Sequence, residues 1–216
     1  MTDIDAEPYG LEADGTEEVA ADLDGRTPAD RLAAWLAALV RNREYGPLAQ
    51  LRSPHVKTNV RITAGCFDPD HREIFEKVAF LFAIYHRGAS RPSYGYGSLG
   101  AAARRIGGGM GRGPNDPGAA RLMDRIVATR SIPWRHLQQA VTRLRSCEQT
   151  PPSWAQLAND LVQWTDREAE IGYQWAIDFQ TPPQRKTGTT RTAAVKPGRP
   201  ADHQQLTFPT EKGTTT

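Results

Sequence analysis

Residues 98–145, SLGAAARRIGGGMGRGPNDPGAARLMDRIVATRSIPWRHLQQAVTRLR, decide the fold class and point to the chemistry. Ser98 reads as a helix cap, and Leu99 to Ile106 as a short alanine-rich helix ending in Arg104 and Arg105. Residues 107–118 hold six glycines and two prolines, a composition that resists regular structure and predicts a mobile connector. Beyond it, Leu122, Met123, Ile126 and Val127 form an apolar stripe within a helix over Gly118 to Thr129. Ser131-Ile132-Pro133 starts another helix, with Trp134, Leu137, Val141 and Leu144 inward. Arg121 and Arg125 lie four apart, on one face and off the stripe. Arg130 follows that helix, and Arg135, Arg143 and Arg145 lie on or near the polar side of the next. From Leu99 to Arg145 nine arginines face only Asp116 and Asp124, a local charge of +7. A single such arginine is an ordinary solvated side chain; the set marks an anionic partner. Arginine suits phosphate because its planar fork donates two parallel hydrogen bonds to one group.

Upstream, Thr27-Pro28-Ala29-Asp30 is a capping box, followed by Leu32, Trp35, Leu36, Leu39 and Val40 at helical spacing. Gly46-Pro47 is expected to break that helix, leaving a short turn with Leu48, Leu51 and Arg52. His55 to Gly65 admits a short strand through Val56, Val60 and Ile62, or an irregular loop. Asp68 is expected to cap a second strong helix carrying Ile74, Phe75, Val78, Leu81, Phe82 and Tyr85, nearly apolar all round after Lys77 and so the most buried element. The loop Ala89 to Gly97 carries Tyr94 and Tyr96, which can stack on bases but read first as surface contacts. Downstream, Pro151-Pro152-Ser153 starts what reads as the longest helix, with Trp154, Leu157, Leu161, Trp164, Ile171 and Trp175 in one stripe that Glu168 interrupts. No strand ladder stands out. The fold class is all-α, with six or seven helices in two small lobes, 27–106 and 119–181, joined by the glycine-rich linker 107–118.

Charge divides the 216 residues unevenly. Residues 1–30 hold ten acidic residues and one arginine, residues 31–180 sum to +7, and residues 181–216 sum to +4. Residues 1–26 and 182–216 bury too little apolar surface to offset ordering entropy and are expected to be disordered, an acidic extension and a basic tail. The extension reads as a solvated tail, with a decoy for the basic core as the sharper alternative. Cys66 and Cys147 define neither a disulfide framework nor a zinc spacing. No signal-peptide pattern or membrane-length apolar run is visible, which predicts a cytoplasmic protein with no membrane partner.

Catalytic constellations are not visible. The run Gly107 to Gly113 lacks the Lys-Ser/Thr ending of a nucleotide loop and a preceding strand. His55, His71, His86, His136 and His203 show no helical metal-ligand spacing. His136 and Cys147 are eleven residues apart, too far for a thiolate–imidazole pair. Asp68 and Asp70 read as cap and first-turn acid. Catalytic residues, metal sites and cofactors are therefore all expected to be none, and Trp134 is the tryptophan to watch at an interface.

The order of these features resembles the CasB family, the small subunit of the type I-E CRISPR surveillance complex Cascade. It is carried by Trp35, Leu51-Arg52, the Asp68–Tyr85 segment, Gly97-Ser98-Leu99-Gly100, Arg121-Leu122 through Arg130, and Leu137 to Arg145. The later part is carried by Trp154-x-x-Leu157, Leu161-x-x-Trp164 and Trp175-Ala176-x-x-Phe179, so that the resemblance spans roughly 28–180. It implies a non-catalytic subunit that pairs with a second copy and bridges the backbone subunits beside the large subunit. Such a subunit braces the crRNA–target DNA heteroduplex and binds the displaced non-target single strand, stabilising the R-loop. Carried onto this sequence, it implies nucleic-acid contacts at Arg52, Arg121, Arg125 and Arg130, with Arg143 and Arg145 in the next basic helix; Arg104 and Arg105 join the candidates from their place before the glycines. The acidic extension, the long glycine loop and the basic tail depart from the family pattern. Two competing readings are a stand-alone helical DNA-binding regulator using Trp134 to Arg145 as recognition helix, and an enzyme whose site escapes motif reading.

Overall fold

The computed structural model describes residues 25–53, 56–108 and 111–182. Residues 1–24 and 183–216, and with them nearly all of both tails, lie outside the described residues, as does His55. Helix α1 (Pro28–Arg41) begins as its sequence dictates: Thr27 Oγ1 accepts from the Asp30 amide at 3.2 Å and donates to the Asp30 carboxylate at 2.7 Å. It ends at Asn42–Glu44, where Arg43 takes a left-handed φ of 57°. Gly46-Pro47 is thus not the break. Helix α2 (Tyr45–Leu51) runs through it, because a proline in the first turn sacrifices no helical hydrogen bond.

Residues 59–66 correct the strand-or-loop reading. They form α3 (Asn59–Cys66), capped by Thr58, which accepts from the Arg61 amide at 3.4 Å. Val60 and Ile62 are two apart, as on a strand, but the helix buries Ala64 and Gly65 and leaves Ile62 exposed. Helix α4 (Arg72–Tyr85) starts later than expected. Asp68 is not its cap: it accepts from the His71 amide at 3.2 Å and meets His71 Nδ1 at 3.0 Å, closing the preceding turn. As expected, α4 buries more residues than any other described helix, among them Phe75, Val78, Leu81 and Phe82.

Helix α5 (Leu99–Ala103) is capped by Ser98 and stops short of Ile106. The described part of the glycine-rich segment is not an open tether. It forms a two-residue antiparallel ladder, β1 (Gly107–Gly108) with β2 (Gly111–Arg112), and a 3-10 turn over Gly113–Asn115. Gly113 donates its amide to Ile106 O at 2.8 Å; at φ 56°, any Cβ there would sit 2.5 Å from Arg104 O. The glycines serve this close return. Helix α6 (Pro117–Val127) follows under an Asp116 cap, then α7 (Trp134–Ser146).

The expected longest helix is two helices, α8 (Trp154–Val162), capped by Ser153, and α9 (Ile171–Gln180). Between them Asp166 accepts from the Glu168 amide at 2.9 Å, Glu168 is exposed, and Glu170 has a left-handed φ of 44°. The apolar spacing survives the break because Trp164 packs on Trp175, ring centroids 5.0 Å apart, so the stripe imitates one helix. Trp175 Nε1–H also donates to Asp160 Oδ2 at 2.7 Å, tying α9 to α8.

All nine described helices contribute to one hydrophobic cluster. α8 packs on α1 and α4, α7 on α4, and α9 on α5 and α6. The segments on either side of the glycines, expected as two lobes, thus share a single core.

His86 sits inside that core, 2% exposed and stacked on Phe82. Its Nδ1 meets Phe82 O at 2.9 Å, and Nε2 accepts from the Ser93 amide at 2.8 Å. Both bonds suit the neutral Nδ1–H tautomer; a proton on Nε2 would abolish the second. Burial above all, with Arg145 adding repulsion, lowers its pKa from 6.5 to about 4. The folded state therefore keeps its full His86 contribution above pH 6.5 and loses it as pH falls towards 4, at up to about 1.4 kcal/mol per unit. Melting temperature is expected to drop between pH 6.5 and 5, before most carboxylates titrate, and His86→Gln is expected to flatten that slope. An equally steep slope in the variant would assign the effect elsewhere.

Candidate nucleic-acid interface

On α6 the core takes Ala119, Leu122, Met123 and Ile126, which leaves Arg121 and Arg125 together on an exposed edge. On α7 it takes Leu137, Ala140, Val141 and Leu144, which leaves Arg135, Gln138, Gln139 and Thr142, at spacings of three and four, on the opposite side. The two polar edges face each other across a groove of about 620 Å³, walled by Arg121, Arg125, Arg135 and Arg143 with Gln138 and Gln139 between them. No carboxylate pairs with Arg121, Arg125 or Arg135 among the described residues. Four guanidinium groups and two primary amides make a wall of donors, suited to a chain of phosphates and indifferent to base identity.

Arg143 is anchored differently. Its Nη2 lies 3.3 Å from Asp116 Oδ1, the same oxygen that accepts from the Ala119 amide at 2.7 Å and caps α6. The Ala119 amide first, and the Arg143 charge second, hold the Asp116 carboxyl below its ordinary range. Asp116 thus positions one arginine at the groove end and starts the helix bearing two others. Asp116→Ala is expected to cost about 1 kcal/mol through the lost cap. Asp116→Asn, which keeps a capping oxygen, should recover most of it in a denaturant titration; equal losses would show that the cap is not the cause.

The remaining candidates lie elsewhere. Arg104 donates from Nη1 to Phe179 O at 2.9 Å and Gln180 O at 2.7 Å, closing the C-terminal end of α9. Arg105 donates from Nη2 to Thr150 O at 3.0 Å and to Pro151 O at 3.4 Å. Both arginines hold the fold together, a duty the sequence spacing did not reveal. Arg52 is half-buried at the end of α2. Arg130 is exposed and lines a separate depression with Trp164, Arg167 and Tyr173. Arg145 is exposed, its guanidinium 5.9 Å from the Tyr85 ring centre. Of the eight candidates, the groove gathers Arg121, Arg125 and Arg143. It adds Arg135, whose signal was the 135–138–139–142 polar repeat opposite the apolar stripe of α7. Trp134 is half-buried, with Lys77 Nζ 5.5 Å from its ring centre. Among the described residues no cluster of His, Cys, Asp or Glu could hold a metal ion, and no helix is long and apolar enough to cross a membrane.

These features define a class: an all-α scaffold with an arginine-walled groove. The particular family follows from comparison. The family model described as CRISPR-associated protein Cse2 matches residues 35–179, and the chain belongs to that family. The fold is similar to the crystal structure of CasB from Thermobifida fusca, with a TM-score of 0.58 and 20% sequence identity over 71% of this chain and 96% of that one. At that identity the likeness is one of fold. No curated protein matches the chain.

Proposed function

We propose that the protein is the non-catalytic small subunit of a Cascade-type, RNA-guided CRISPR complex, and that the α6–α7 groove carries the phosphate backbone of the displaced non-target strand. The observation that carries this reading is the convergence of Arg121, Arg125, Arg135 and Arg143 on one groove, where Asp116 is the one carboxylate paired to them among the described residues. Membership of a CRISPR-associated family supports the setting. R-loop formation exchanges DNA duplex for heteroduplex at nearly equal stability, so a few backbone contacts tip it. In this reading the shared core makes 27–106 and 119–181 one brace, set against the crRNA–target heteroduplex and the backbone and large subunits and paired with a second copy. The site needs no cofactor, because holding a strand is electrostatic work.

The test is a tagged pull-down from the host, with the bound RNA sequenced. Short RNAs sharing a repeated flank and carrying variable spacers, recovered with several protein partners, are expected. Recovery of the protein alone, or with duplex DNA of one sequence, would favour the regulator reading with α7 as recognition helix.

A further inference from the structure

Tyr96 stands apart from the groove on a platform that the fold has already fixed. The residue is 59% exposed, yet its backbone is pinned. The Tyr96 amide donates to Pro151 O at 3.3 Å, and the Ser153 amide donates to Gly97 O at 2.9 Å. Gly95, at φ 72°, lies so close to Pro151-Pro152 that a Cβ would meet Pro152 O at 2.0 Å. The Arg105 guanidinium stacks 4.4 Å from the Tyr96 ring centre and is itself held by Thr150 O and Pro151 O. One ring face is thus backed by a fixed cation, and more than half of the residue's surface stays exposed. A large aromatic kept rigid and wet has little entropy left to lose on binding, which is how recognition surfaces use tyrosine.

The surroundings specify the ligand. Tyr96 borders a depression of about 420 Å³ with Arg104, Arg105, Arg112, Asn115 and Asp178. Arg104 commits Nη1 to the end of α9, and Arg112 is exposed with no carboxylate partner among the described residues. The one acid among its described lining residues, Asp178, accepts from the Ser98 hydroxyl and from Gln174 Nε2 at 3.2 Å. An aromatic face beside one exposed guanidinium, that of Arg112, and two half-buried ones, those of Arg104 and Arg105, is chemistry that takes a base and its phosphate together. The depression also adjoins the groove. Asn115 lines one and Gly118 the other, and three residues of chain separate their Cα atoms by about 11 Å at most.

We propose that Tyr96 stacks one unpaired base of a single strand, with Arg112 holding its phosphate, as a second contact point beyond the arginine groove. This rests on the proposed reading that the groove carries a single strand, and it adds a base-stacking anchor to a surface otherwise limited to phosphates. Stacking tolerates any base, so the anchor selects unpaired over paired nucleotides, not sequence.

The experiment uses the full chain and a single-stranded oligonucleotide containing 2-aminopurine, read by fluorescence quenching and anisotropy. The unmodified chain is expected to quench the probe. Tyr96→Ala is expected to weaken binding about tenfold and to remove the quench, and Tyr96→Phe to restore both. Arg112→Ala should weaken binding about threefold and keep the quench at saturation. A Tyr96→Ala chain with wild-type affinity and quench overturns the inference, and so does an unmodified chain that binds without quenching or does not bind at all. The two readings fail separately. If Arg121→Glu/Arg125→Glu weakens binding while Tyr96→Ala does not, the groove stands and the Tyr96 site falls. If the double reversal has no effect while Tyr96→Ala does, the Tyr96 site stands and the groove falls.

Discussion

Reversing Arg121 and Arg125 to glutamate is expected to lower affinity for single-stranded nucleic acid on the order of a hundredfold and to shorten R-loop lifetime in the assembled complex. Melting temperature should stay within a few degrees of the parent. Both side chains are exposed and neither has an ion-pair partner among the described residues, so folding loses little when their sign changes. Some cost is expected because Arg125 sits in the last turn of α6, where a cation suits the helix dipole, but that is a few tenths of a kcal/mol. Binding loses two charge-assisted hydrogen bonds and gains two repulsions in a groove where, among the described residues, Arg135 and Arg143 remain positive. Undiminished affinity at low salt would remove the groove from the account. A double variant that unfolds would show instead that these arginines are structural.

Gly100→Ala is expected to be among the most damaging single substitutions, costing about 3 kcal/mol and about 10 °C in melting temperature. Gly100 lies in α5 where it crosses α9. A Cβ there would stand 2.0 Å from Trp175 O, 2.7 Å from Trp175 C and 2.9 Å from Trp175 Cα. All three are backbone atoms, so no rotamer change relieves the clash; the helices must separate. Separation disturbs Trp175, which packs on Trp164 and donates to Asp160, and loosens the Arg104 clasp on Phe179 and Gln180. Gly46→Ala is the matched control, since nothing lies within 4 Å of a Cβ there. It should leave stability unchanged or slightly raised. Equal stability of the two variants would mean that the α5–α9 approach is looser than described.

The same residues show how far the sequence could be read. Apolar periodicity identified α1, α4, α6 and α7, because each has one face committed to the core and the period of that face is local information. Periodicity failed where two unrelated geometries share a spacing. Val60 and Ile62 alternate like a strand yet sit in α3. Trp164 and Ile171 are seven apart, two helical turns, yet flank a break. The glycine-rich segment read as a tether because composition reports what glycine permits; the turn that requires Gly113 depends on the Arg104 carbonyl, a tertiary neighbour.

The candidate groove was legible to the same degree. Arg121 and Arg125 were visible as a pair because both lie on one helix. Their meeting with Arg135 and Arg143 depends on how α6 packs against α7, which no spacing encodes. Arg104 and Arg105 look from the sequence like any basic pair. Only the carbonyls that converge on them, from residues 150, 151, 179 and 180, show that they hold the chain together. The resemblance to CasB, drawn from ordered motifs, agrees with the family match over 35–179, because motif order survives where sequence identity to a solved relative has fallen to 20%.

The most direct measurement of the central claim is the salt dependence of single-strand binding by the full chain and by the triple variant Arg121→Gln/Arg125→Gln/Arg135→Gln. If the groove holds phosphates, the slope of log K against log salt should be shallower by about 2 in the variant, roughly 0.7 for each contact removed. Parallel lines for the two proteins would contradict the account, because the charges that release counterions would then lie outside the groove.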